Sequence, residues 1–276
     1  MIKIENLTKS FNGNSVLNGI SFGVKKGEII ALIGRSGCGK SVLLKHVVRL
    51  MRPSGGRILV DGKDINDLRG KDLVQFRQRL GFLFQSGALF DSMTVFENVA
   101  FPLREKTPLG EKVIRERVFH ELEEVGLIGA ENKHPSQISG GMVKRAALAR
   151  ELVWEPEIML FDEPTTGLDP IIGSTILNLI DSCHKRLNFT GFIVTHEIPK
   201  VFQIVDRVAM LHEGKVLLVG IPEEILCSED PVVQQFITGS PEGPLPHHEC
   251  PPELLDLIRA KKKVFQRDAE KWPPLR

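Results

Sequence analysis

Apolar runs at Ile29–Ile33 and at residues 58–60, each followed by a turn signal, have the length and continuity of buried or half-buried strands. The first 65 residues therefore predict short strands broken by glycine-containing turns, with a glycine-rich loop leading into a helix over about residues 40–51. From Arg69 to roughly Leu152 the period lengthens. Apolar Val118, Leu122 and Val125 recur among Val113, Arg117, His120, Glu121 and Glu124 at helical spacing, which predicts a helical subdomain over about residues 86–155. Strand character returns at residues 158–161, 192–195 and 208–211, with helical pattern between the first two, and that alternation predicts a parallel α/β sheet. Beyond Thr238 a proline-rich loop begins at Ser240, and residues 251 to about 270 predict a charged helix. No internal repeat is present, so the reading is a single module over residues 1–238 followed by a C-terminal extension over 239–276.

Composition narrows this. A chain of 276 residues with 42% hydrophobic and 26% charged residues can bury a real core and is neither disordered nor fibrous. Its strictly apolar stretches, Ile29–Ile33 among them, fall far short of the roughly 18 residues needed for a membrane span, so a membrane connection has to run through a partner. A formal net charge of +1 gives no broad field that would recruit nucleic acid or an anionic bilayer, and no nucleic-acid partner is expected. Cys38, Cys183, Cys227 and Cys250 are scattered without a C-x-x-C pair, which points to a reducing cytosol. The opening Met1-Ile-Lys-Ile-Glu-Asn has neither an apolar h-region nor transit-peptide character, so no signal is expected there.

The chemistry lies in loops that follow strands. Gly34, Arg35, Ser36, Gly37, Cys38, Gly39, Lys40 and Ser41 satisfy G-x-x-x-x-G-K-S/T between a strand pattern and a helix start, the context a phosphate-binding loop requires. Glycines let the main chain curl around phosphate oxygens, Lys40 can reach the β- and γ-phosphates, and the Ser41 hydroxyl can ligate Mg²⁺. Residues 158–161 form an apolar strand ending in Asp162 and Glu163, a Walker B arrangement: Asp162 for the metal, Glu163 for the attacking water. Neighbouring residues at a strand end point to opposite sides, which would separate these two tasks.

A second glycine-bearing helix start, Ile138-Ser139-Gly140-Gly141-Met142, leads into Val143-Lys-Arg-Ala-Ala-Leu-Ala-Arg150. It resembles the signature sequence of ATP-binding cassette (ABC) ATPases. The resemblance spans about residues 2–237 and implies a P-loop NTPase of the ABC type: a RecA-like α/β core, an N-terminal antiparallel β subdomain and an inserted α-helical subdomain. It further implies that Ser139, Gly140, Gly141 and Met142, with Asp169 of the D-loop, act on ATP bound to a second copy in a head-to-tail homodimer. Gln85 resembles the Q-loop glutamine that contacts Mg²⁺ and water, His196 the switch histidine at the γ-phosphate, and Phe11, with Val16 downstream, the contact to adenine. Met142 stands where a signature usually has glutamine, which removes an amide from the nucleotide. His46, His120, His134, His184 and His212 receive no role, and His247-His248-Glu249-Cys250 in a proline-rich tail is read as no metal site.

The segment from Gln85 to Leu103, with Met142 and the Gly239-Ser-Pro-Glu-Gly-Pro stretch, resembles the Mla/MCE-type ATPases of phospholipid transport. That likeness implies an MlaE-type permease, an MCE-domain lipid carrier and a small STAS-domain subunit as partners, at the cytoplasmic face of the inner membrane. Leu89, Phe90, Met93, Phe96 and Phe101 are expected to form either an apolar docking groove for the permease or the core of the helical subdomain. Two other functions stay open on sequence alone: the ATPase of another importer, for amino acids for example, and a soluble ABC ATPase acting on ribosomes or DNA.

Overall fold

A computed structural model describes residues 1–245. The chain divides into two compact units, Met1–Ser228 and Glu229–Arg276. The first contains β1 (Ile2–Phe11), β2 (Asn14–Val24), β3 (Ile29–Ile33), α1 (Lys40–Val47), β4 (Gly55–Val60), β5 (Lys63–Asp64), α2 (Gly70–Arg77) and β6 (Leu80–Leu83). It continues with α3 (Val95–Lys106), α4 (Glu111–Glu124), α5 (Gly140–Leu152), β7 (Ile158–Asp162), α6 (Pro170–Leu187), β8 (Thr190–Val194), β9 (Arg207–His212), β10 (Lys215–Gly220) and α7 (Pro222–Leu226). In the second unit, α8 (Pro231–Thr238) ends at Gly239, and the buried Gln235 holds the following turn by accepting from Leu245 N at 2.6 Å. The expected helix over 251–270, Cys250 and the His247–Cys250 cluster lie outside the described residues.

Two sheets carry the first unit. β2, β1, β4 and β5 make a four-stranded antiparallel sheet in that order. The second sheet runs β10-β9-β3-β8-β7-β6, parallel from β9 to β6, with β10 antiparallel at one edge. β3, β6 and β8 are buried at every position, and in β3 this shows as a continuous apolar run. The α/β core and the antiparallel β subdomain expected from the sequence are both present.

The structure corrects three readings. β1 and β2 are long strands of 10 and 11 residues, but bulges between Ile4 and Leu7 and between Lys9 and Ser10 interrupt their alternation, so the sequence shows only fragments. α1 stops at Val47, short of residue 51, because Arg49 takes a left-handed conformation (φ 59°). Its buried guanidinium donates to Ile65 O at 3.0 Å and Asn66 O at 3.1 Å. β6, inside the stretch read as helical, is a short edge strand paired with β7; four residues are too few for periodicity to separate strand from buried helix.

α3, α4 and α5 share a core of their own, built on Val99, Leu103, Val118, Leu122, Ala146 and Ala149. A capping box between Thr94 and Glu97 starts α3. Asn98, fully buried, fixes the approach to it: its Nδ2 donates to Phe90 O, Met93 O and Thr94 O at 3.0–3.1 Å, and its Oδ1 accepts from Phe90 N at 2.7 Å. Asn98→Ala leaves the Phe90 N–H without its acceptor, so it should lower unfolding stability by about 2 kcal/mol. Urea denaturation of the two proteins measures this, and a change near zero would show that water replaces the amide.

Candidate nucleotide-binding and hydrolysis site

The loop between β3 and α1 is shaped by Gly34 (φ 139°), Gly37 (φ 80°) and Gly39 (φ 102°). At Gly34 a Cβ would stand 2.2 Å from Leu211 O of the neighbouring strand β9, so no side chain fits. Gly39 caps α1 without any side-chain acceptor, and the first turn of α1 holds no acidic residue. Those N–H groups are available to an anion. Lys40 is buried and donates to Gly34 O at 2.6 Å and Arg35 O at 3.0 Å, which keeps its ammonium at the loop. Val16 lies against the loop, close to Gly39. Phe11 is 40% exposed at the end of β1, with Lys9 Nζ 5.1 Å from its ring centre.

The two carboxylates take different partners. Ser41 Oγ donates to Asp162 Oδ1 at 2.8 Å, joining the phosphate loop to the end of β7. Glu163 then leaves the strand in a left-handed conformation (φ 52°), its N–H donating to Val194 O at 2.9 Å. The turn, and not simple strand alternation, sends its carboxylate elsewhere: Oε2 lies 2.8 Å from His196 Nδ1, in the loop after β8. The serine hydroxyl and aspartate carboxylate are an all-oxygen pair of the type Mg²⁺ takes alongside water and phosphate oxygens. Among the described residues no cluster of three or more His, Cys, Asp or Glu could hold a metal.

A separate group forms around the start of α5. Ser139 caps this helix by accepting from Met142 N at 3.3 Å, and the Met142 side chain packs on the helical core. Asp169 caps α6, its Oδ1 accepting from Ile171 N and Ile172 N at 3.0 Å each. Ser139, Gly140, Gly141 and Asp169 line one cleft of about 410 Å³. Gln85, exposed just after β6, is tied to this group through its main chain: its carbonyl accepts from Lys144 Nζ of α5. Lys144 and Arg150 are buried side chains that the sequence reading passed over, although cations on a helix rich in alanine and leucine are a visible signal. In the helical layer, Leu89 and Phe96 are partly buried and pack against the core, whereas Phe90 is 43% exposed with its ring 5.0 Å from that of Phe101.

A glycine-shaped loop between a buried parallel strand and a helix, joined to the carboxylate at the end of a strand two places along the same sheet, defines a P-loop nucleoside triphosphatase. Residues 17–166 match the family model described as ABC transporter. The chain is 44% identical, over 89% of its length and 93% of the other protein's, to the intermembrane phospholipid transport system ATP-binding protein MlaF of Haemophilus influenzae. It is 43% identical over 88% of its length to the probable ribonucleotide transport ATP-binding protein mkl of Mycobacterium leprae, of which 70% is covered. The post-hydrolysis dimer of the ATP-binding cassette MJ0796 bound to ADP and Pi superposes with a TM-score of 0.74 at 31% identity, covering 80% of this chain and 99% of that one. The chain belongs to the ABC transporter family and is an ATP-binding, ATP-hydrolysing enzyme. Among the described residues no helix is long and apolar enough to cross a membrane.

Because a methyl group at Gly34 would collide with Leu211 O, Gly34→Ala should displace the loop and weaken ATP binding at least about tenfold, roughly 1.4 kcal/mol. Titration with a fluorescent ATP analogue checks it, with circular dichroism to establish that the variant is folded.

Proposed function

We propose that this chain is the ATP-hydrolysing subunit of a transporter that moves phospholipid across the bacterial cell envelope. It would work as a homodimer at the cytoplasmic face of the inner membrane, attached to an MlaE-type permease that serves an MCE-domain lipid carrier, with a STAS-domain subunit in the same assembly. The observation that carries the phospholipid reading is the 44% identity across nearly the whole of the Haemophilus MlaF protein. The half-exposed Phe90, braced by Phe101, offers an apolar contact for a cytoplasmic helix of the permease. Ribonucleotide is the second cargo to consider, on the strength of the mycobacterial relative named for it.

In the proposed cycle the loop from Gly34 to Ser41 cradles the phosphates, Phe11 and Val16 face adenine, and Ser41, Asp162 and Gln85 hold Mg²⁺. The metal, when bound, neutralises charge on the phosphate oxygens. Glu163 orients and polarises the attacking water, a role supported by its contact with His196 at 2.8 Å. Lys40 and His196 stabilise the charge that develops on the transferred phosphoryl group. Ser139, Gly140, Gly141, Met142 and Asp169 close on the nucleotide of the second copy, and hydrolysis releases them.

Glu163→Gln keeps the shape and loses the base. It should retain ATP affinity, lose hydrolysis by about 100-fold or more and accumulate as an ATP-bound dimer in light scattering. A wild-type rate of phosphate release would remove Glu163 from this role. The cargo is read by purifying the chain from membranes with its permease and analysing the extract by mass spectrometry. Glycerophospholipid at near-stoichiometric amount is expected, and a ribonucleotide other than ATP or ADP in its place would overturn the lipid reading.

A further inference from the structure

α5 is mostly alanine, leucine and valine on the side that packs into the helical layer, yet it buries the ammonium of Lys144 at 5% exposure. A buried cation is costly unless something fixes it there. Among the described residues no carboxylate lies within ion-pair distance of it, and its acceptor is a main-chain carbonyl, that of Gln85.

The neighbouring turn is held by the same helix. Arg150 Nη1 donates to Ala88 O at 2.6 Å and Nη2 to Gly87 O at 3.1 Å. Gly87 and Ala88 are both left-handed, at φ 79° and 47°, which turns their carbonyls onto α5. A Cβ on Gly87 would stand 3.3 Å from Val143 Cγ1, so the main chain lies directly on the helix. Arg150 already secures the turn. Lys144 adds a bond to the one carbonyl that belongs to Gln85 itself.

We propose that Lys144 is a positioning residue that clamps the Gln85 main chain to the helix capped by Ser139, and so ties this chain's hydrolytic site to the signature it presents to a second copy. The proposal rests on the reading of Gln85 as a metal and water contact. In the full chain, Lys144→Met, Lys144→Arg and Gln85→Ala are compared by hydrogen exchange over residues 85–88, by thermal denaturation and by steady-state ATP hydrolysis. Lys144→Met should speed amide exchange in that segment about tenfold. It should also lower kcat about tenfold while KM for ATP stays within about twofold. Lys144→Arg keeps a donor and should restore both readouts. Unchanged exchange and kcat in Lys144→Met would overturn the clamp, as would an arginine variant that fails to rescue while melting as low as the methionine variant. Gln85→Ala separates the two levels. If it hydrolyses ATP normally, the reading of Gln85 falls and takes the proposal with it. If it is slow while Lys144→Met is normal, the proposal falls alone.

Discussion

The parallel register of β3, β8, β7 and β6 is the constraint on which the site depends. Leu32 lies opposite Val194, Val194 opposite Asp162, and Phe161 opposite Leu83, so four strands end almost level. Within two residues of that row the chain enters the phosphate loop, the turn at Glu163, the His196 loop and the Gln85 loop. A slip of one residue would move a loop by about 3.3 Å and turn its side chains to the other face. That is larger than the 2.8 Å between Ser41 Oγ and Asp162 Oδ1, so the junction would not survive it. With both faces of these strands buried, the register is held by close side-chain packing on each side, which a slip would have to rebuild.

Given that frame, the polar groups of the site partner one another across loops. Lys40 is held by loop carbonyls, Ser41 by Asp162, and His196 faces Glu163. The Lys40 bonds close the loop on itself, whereas the Ser41–Asp162 and Glu163–His196 contacts join segments distant in sequence that strand order brings together. The glycines supply the other half of the arrangement: the main chain between Gly34 and Gly39 can bend so that its N–H groups, and not side chains, line the concave side.

Much of this was legible in the sequence because local patterns encode it. The apolar strands β3, β7 and β8, the loop from Gly34 to Ser41 and the Asp162-Glu163 pair can each be found by inspecting fewer than about ten residues at a time. What escaped was non-local or too short. The bulged β1 and β2 lose their alternation, and the apolar run of β10 over residues 216–219 is too short for periodicity to separate strand from helix. The left-handed backbone at Arg49 and Glu163 is set by tertiary hydrogen bonds to Ile65, Asn66 and Val194, which no propensity at those positions foretells. Lys144 and Arg150 were visible as residues but not as contacts, since the carbonyls they reach lie some sixty positions earlier in the chain.

The arrangement of α5 has a mechanical consequence. Near its C-terminal end Glu151 accepts from Phe82 N at 3.2 Å, and Trp154 Nε1 donates back to Glu151 O at 2.6 Å, so this end is fastened to the edge of the central sheet. At 1.5 Å per residue, Lys144 stands roughly 10 Å along the helix from that anchor and Ser139 roughly 18 Å. A rotation of α5 about the anchored end would therefore move Ser139 nearly twice as far as Lys144. The segment leading away from Gln85 also reaches α3, because Asn98 binds both the N–H and the carbonyl of Phe90. The segment that carries the exposed ring of Phe90 is thus held by two helices of one layer, by Asn98 of α3 and by Lys144 and Arg150 of α5.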